Sequence, residues 1–121
     1  GKSLSEISDK IRDKQADSIY PIVQRLAKDK LHTILLTPND IDNIYNESSV
    51  LYDDLNKIGV NYVIYSGIYH QENNSLIGIL TIEYLKENTT SEKFMRELLP
   101  AVEDYAVGLS TALTYKKDYS K

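Results

Sequence analysis

The stretch from Val60 to Leu85, VNYVIYSGIYHQENNSLIGILTIEYL, constrains the fold of this chain more than any other. Two runs rich in β-branched and aromatic residues flank Gln71, Glu72, Asn73, Asn74 and Ser75. That is the pattern of a β-hairpin with a polar loop. A loop centred on Asn73 sets Ile64 opposite Ile82 and Ile68 opposite Gly78. One face of the ribbon then carries Tyr62, Ile64, Ser66, Ile68 and His70 with Leu76, Gly78, Leu80, Ile82 and Tyr84. The other carries Val63, Tyr65, Gly67 and Tyr69 with Ile77, Ile79, Thr81, Glu83 and Leu85. A ribbon with one wet face alternates apolar and polar residues, whereas both faces here are mostly apolar, so both are expected to be covered. Gly67 and Gly78 inside the strands point to a bulge or to the close approach of another group, and packing is the favoured reason. Two strands alone are marginal in water, so a further strand and helices must complete the layers.

The flanking segments supply them. Leu31 to Thr37 reads as a third strand stopped by Pro38. Thr37, Pro38 and Asp40 then form a helix start: a capping oxygen, a proline in the first turn and a carboxylate at the positive end of the helix dipole. Ile41, Ile44, Leu51, Leu55 and Ile58 keep helical spacing up to Gly59, a C-terminal stop, and the weak helix formers from Asn46 to Ser49 allow two short helices in place of one. After the hairpin, Thr89 and Glu92 match a capping box, and the stripe Phe94, Leu98, Val102, Tyr105, Leu109 and Leu113 predicts a long helix in which Pro100 forces a kink or a restart. Small residues Ala101, Ala106, Gly108 and Ala112 near that stripe favour close packing. At the other end, Leu4, Ile7, Ile11, Ile19, Ile22, Val23 and Leu26 keep helical spacing, interrupted at Pro21. Residues 1–17 have a thin apolar stripe and many charges, which suggests a stalk that pairs with a copy of itself or lies across a domain formed by residues 18–121. The fold class expected is α+β, a small antiparallel sheet packed against long N- and C-terminal helices.

Composition narrows the functional classes. The 121 residues suit a single core, and a net charge of −4 without any basic run argues against nucleic acid or an anionic membrane as the main partner. Absence of cysteine excludes disulfides, thiolate metal sites and a cysteine nucleophile, and fits a reducing, cytoplasmic setting. No apolar run is long enough to span a membrane. Gly1 is not an initiator and the sole methionine is Met95, so the chain is expected to be part of a longer protein, with a membrane anchor upstream as one form of the missing segment. Ten tyrosines against one phenylalanine and no tryptophan fit surfaces half in water, such as interfaces, or merely the codon bias of an AT-rich genome.

Candidate sites are few. His32 and His70 have no metal-ligand spacing, and His70 at the hairpin mouth reads first as a solvated strand end and second as a ligand contact. Asp40, Asp42, Asn43 and Glu47 lack the glycine and the alternating order of a calcium loop, and read as a solvated helix start. No glycine-rich phosphate loop, nucleophile elbow or convincing carboxylate pair is present, so neither catalysis nor a metal or cofactor is expected. Tyr62, Tyr65, Tyr69 and Tyr84 form the best candidate group: they either fill a core with hydroxyls at its rim or stack on a planar ligand. The ligand contacts expected are Tyr62, His70 and Tyr84.

The order helix, strand, helix, hairpin, long helix, and especially Ile77, Gly78, Ile79, Leu80, Thr81, Ile82 followed by a polar break and a helix from Ser91 to Lys117, resembles the C-terminal half of a GAF domain. The resemblance covers Leu31 to Lys117 and implies terminal helices packed on one sheet face, often in a helical dimer bundle, with the other face commonly forming a small-molecule pocket. Family members usually have five or six strands against three here, so a reduced, PAS/GAF-type domain is implied, of a kind similar to small membrane-tethered or phage-encoded domains. The function expected is a non-enzymatic regulatory or sensory domain that homodimerises through its terminal helices, at Leu4, Ile7, Ile11, Leu109 and Ala112. The alternative is an adaptor of roadblock or longin type, whose partner protein covers a sheet edge or helix face. A small hydrolase or transferase is a third reading and requires a concave cluster of His70 with a carboxylate.

Overall fold

A computed structural model describes residues 19–29 and 32–115 of the chain. The elements run in the order α1 (helical residues 19–27), β1 (Thr33–Leu36), α2 (Pro38–Asn43), a 3₁₀ turn (Ile44–Asn46), α3 (Ser49–Ile58), β2 (Val60–Tyr69), β3 (Leu76–Leu85) and α4 (Glu92–Thr114). The protein is thus α+β, and the described residues form one three-stranded sheet in the order β1-β2-β3, antiparallel throughout.

The hairpin register is the one its loop predicts, with Ile64 opposite Ile82 and Ile68 opposite Gly78. An irregularity beyond Ile68 sets Tyr69 opposite Leu76, which turns Leu76 to the α1 side. The loop is closed by Asn74, at φ +58°, and by the Asn73 side chain, which accepts from both the Ser75 amide and its hydroxyl. Because β2 is the central strand it is buried on both faces, as the absence of alternation requires. On one face Val60, Val63 and Tyr65 join Ile34 and Leu36 of β1 under Ile22 and Leu26 of α1, Ile41, Ile44, and Leu51 and Leu55 of α3. On the reverse, Tyr62 and Ile64 pack against Met95 and Val102 of α4, with Leu35, Leu80, Ile82 and Tyr84 at the margin. The sheet is sandwiched, and helices supply both covers.

Local chemistry explains the connections. Thr37 caps α2, accepting from the Asp40 amide while the Asp40 carboxylate accepts from the Thr37 amide, with Pro38 in the first turn. Ser48 caps α3, so the segment between Asn46 and Ser49 does separate two helices. Gly59 ends α3 at φ +82° and gives its N–H to Leu55 and Asn56. Ile58, expected on the apolar stripe, is 52% exposed in the last turn where the chain reverses into β2.

Helix α4 departs from expectation at its cap and on its packed face, and of the two outcomes open at Pro100 it shows no restart. Its cap is Ser91, whose hydroxyl accepts from the Phe94 amide, so the Thr89–Glu92 box does not form and Glu92 instead pairs with Arg96 one turn on. The helix runs through Pro100 without a restart, because that exposed position leaves the carbonyl one turn earlier open to water. Its buried residues are Met95, Val102, Ala106 and Ser110, which rotates the packed face away from Phe94, Tyr105 and Leu113. Ala106 and Ser110 are short enough for the helix backbone to lie close to β2, and that proximity outweighs the gain from burying the larger side chains.

Among the described residues no helix is long and apolar enough to cross a membrane.

Candidate functional site

Two features of the sheet edges draw the functional residues together. The first is a notch on the β1 side. Strand β1 ends its pairing with Thr33 opposite Ser66, one further bond joining the Gly67 amide to the His32 carbonyl, while β2 continues to Tyr69. The Ser66 hydroxyl fixes this junction, lying 3.0 Å from the Thr33 hydroxyl and 3.4 Å from the His32 carbonyl. Tyr69 folds back across Gly67 and donates to the Leu26 carbonyl of α1 at 2.7 Å. A Cβ on Gly67 would stand 2.6 Å from the Tyr69 oxygen, so this glycine is the space for that ring. The His32 ring meets Tyr69 edge-on, with centroids 5.1 Å apart. From the other side of the sheet edge, α4 closes in: Ser110 donates to the Tyr69 carbonyl, while Thr114 and Thr111 accept from the Gln71 amide and side chain. The result is a cavity of about 220 Å³ lined by His32, Tyr69, His70, Asn74, Glu103 and Val107.

The cavity brings both histidines and a carboxylate into one place, although Glu103 and the two histidines are far apart in sequence. Its chemistry favours holding over reacting. The Tyr69 and Ser110 hydroxyls both give their protons to backbone carbonyls, so neither is poised as a nucleophile. His70 Nδ1 accepts from the Glu72 amide at 3.2 Å, which places the proton of the neutral ring on Nε2 and makes that nitrogen a donor. Burial raises the Tyr69 phenol above its ordinary value and keeps it protonated. Among the described residues no three histidine or carboxylate side chains stand close enough to hold a metal.

The second feature is the edge of β3, unpaired among the described residues, with the apolar groove beside it. The Gly67 amide bonds to β1, so alternate β2 residues Ile64, Ser66 and Ile68 turn their backbone groups to β3. Their partners Gly78, Leu80 and Ile82 are thereby satisfied, and Ile79, Thr81 and Glu83 point their N–H and C=O groups outward, whereas Ile77 is the extra residue of the irregularity beyond Ile68. This ten-residue edge carries neither proline nor lysine, the usual protections, and Glu83 is its one charge. Between β3 and α4 lies a groove of about 310 Å³ lined by Leu80, Ile82, Ala101, Val102 and Tyr105. Tyr105 is 64% exposed and Phe94 43%, and helical spacing sets both on one flank with Leu98, Ala101, Leu109 and Ala112. No charged residue falls on that flank.

The expected ligand residues are not assembled into one site. Tyr62 and Tyr84 are cross-strand partners beside Met95, and Tyr84 meets Phe94 edge-on at 6.2 Å. His70 lies at the opposite end of β2, eight residues or about 26 Å of strand away, in the notch. Of the expected dimer residues, Leu109 is half-buried and Ala112 exposed on the α4 flank, whereas Leu4, Ile7 and Ile11 lie outside the described residues. Sequence reasoning did not single out His32 with Glu103; the signal was the β1–β2 pairing, which once assumed sets His32 beside Gly67 and Tyr69. No known protein family, no curated protein and no solved structure matches this chain.

Proposed function

We propose that this chain is a non-enzymatic regulatory domain, GAF-like in the order of its elements, that works as a homodimer formed through the β3 edge and the flank of α4. The observation that carries the reading is the pairing of an unprotected edge strand with an uncharged helix flank on the same side of the molecule. A two-fold axis sets each surface against its own copy, so a surface with one charge on its strand and none on its flank avoids like-charge repulsion. Antiparallel pairing of β3 with its copy would satisfy Ile79, Thr81 and Glu83 and double the three-stranded sheet. Tyr105 and Phe94 would act as knobs against Ala101 and Ala112 of the facing helix. The dimer surface in this reading includes Leu109 and Ala112, as the helical reading of the sequence expects, and adds the strand.

The face where the resemblance implies a ligand pocket is filled by Ile22, Leu26, Ile44, Leu51 and Leu55, all 5% exposed or less. That packing favours a domain that signals through protein contacts, and it also supports the roadblock- or longin-type alternative, in which the β3 edge pairs with a different protein. Sedimentation velocity over a concentration series separates the two. Homodimerisation predicts a dimer at tens of micromolar and a monomer for Tyr105→Glu. A monomer up to several hundred micromolar would overturn it and leave the adaptor reading.

A further inference from the structure

We infer that the notch between the start of β1 and the C-terminal half of α4 is a binding site for a small organic cation. This goes beyond the proposed dimer and does not depend on it, because the notch lies on the sheet edge opposite β3. Three aromatic rings, His32, Tyr69 and His70, line a cavity of about 220 Å³ together with the Glu103 carboxylate. The Tyr69 ring can attract a cation through its negative face, and a carboxylate supplies the opposite charge. The rings are held in place: Tyr69 by its bond to the Leu26 carbonyl, His32 against Tyr69 at 5.1 Å, and His70 by the Glu72 amide. Preorganised groups of this kind lower the ordering cost of binding. Glu103 has no ion-pair partner among the described residues, and Val107 offers an apolar wall for an alkyl group. An anion is disfavoured by Glu103 and by the absence, among the described residues, of any lysine or arginine from the lining. The site therefore fits an alkylammonium, the head group of an amine, better than a carboxylate or a phosphate.

The test is a two-dimensional amide and imidazole NMR titration of the full chain with n-butylammonium chloride, against 1-butanol and sodium chloride as controls. The inference predicts saturable shifts at Gly67, Gln71, Val107 and the two imidazoles, with an affinity on the order of millimolar. Neither control should produce them. Glu103→Gln, an exposed change that keeps the helix, should weaken binding about fivefold while the remaining spectrum superimposes. Equal shifts with 1-butanol, a non-saturating response, shifts confined to the β3 groove, or unchanged affinity in the Glu103→Gln protein would each overturn the inference.

Discussion

Tyr65 shows how a single side chain ties the sheet to pH. Burial first, and then the Glu83 carboxylate set diagonally across on the neighbouring strand, push its phenol up to about 12. The folded state therefore holds this proton more tightly than the unfolded chain, whose tyrosines titrate near 10. The stabilisation is complete below pH 10 and is lost as pH rises towards 12, about 2–3 kcal/mol in all. Urea unfolding between pH 8 and 12 should show this loss in the wild type and a flatter profile in Tyr65→Phe; parallel profiles would assign the alkaline loss elsewhere. Gly67 has a different role, because a methyl group there displaces the Tyr69 ring and breaks its bond to Leu26. Gly67→Ala should cost about 1–3 kcal/mol, and Tyr69→Ala should relieve much of that penalty in the double variant. Additive costs from denaturant melts would contradict the steric account.

At the scale of elements, two helix ends and one helix face set how the chain packs. Gly59 adopts φ +82° with nothing within 4 Å of the place an added methyl group would take, so its requirement is backbone conformation alone. Gly59→Ala should lower stability by about 1 kcal/mol and Gly59→Asn by less, measured by thermal melts. The turn chemistry behind this end, like the Thr37–Pro38–Asp40 start, is legible in sequence because each residue satisfies a backbone group within its own neighbourhood. The hairpin register is legible for the same reason, since loop length and side-chain alternation agree. The face of α4 is not: size and hydrophobicity select Phe94, Tyr105 and Leu113, while the fold buries Ala106 and Ser110. What decides is how closely the helix backbone can approach β2, a property of the pair and not of either segment. Met95, fully buried against Tyr62 and Ile64, is part of the same choice. Met95→Ala should cost about 2–5 kcal/mol, whereas Tyr105→Ala should leave monomer stability within about 0.5 kcal/mol.

For the whole molecule, the three-layer arrangement of helices, sheet and helix leaves the two sheet edges unequal. The β1 edge is closed by α4 and the hairpin loop into a notch, and among the described residues the β3 edge stays open beside an apolar flank. The notch escaped sequence reasoning because its members come from β1, the hairpin and α4, and only the tertiary pairing brings them together. The open edge was half visible: Ile77 to Ile82 identifies a strand, but which of its residues face outward depends on the order β1-β2-β3. The central claim is that this edge is an interface between two copies. Native-state amide hydrogen exchange tests it most directly. At dimer-forming concentration, the amides of Ile79, Thr81 and Glu83 should be protected alongside Leu80 and Ile82, and should lose that protection on dilution or in Thr81→Pro. If those three exchange freely at every concentration while Leu80 and Ile82 stay protected, β3 is a bare edge and the account of the dimer is wrong.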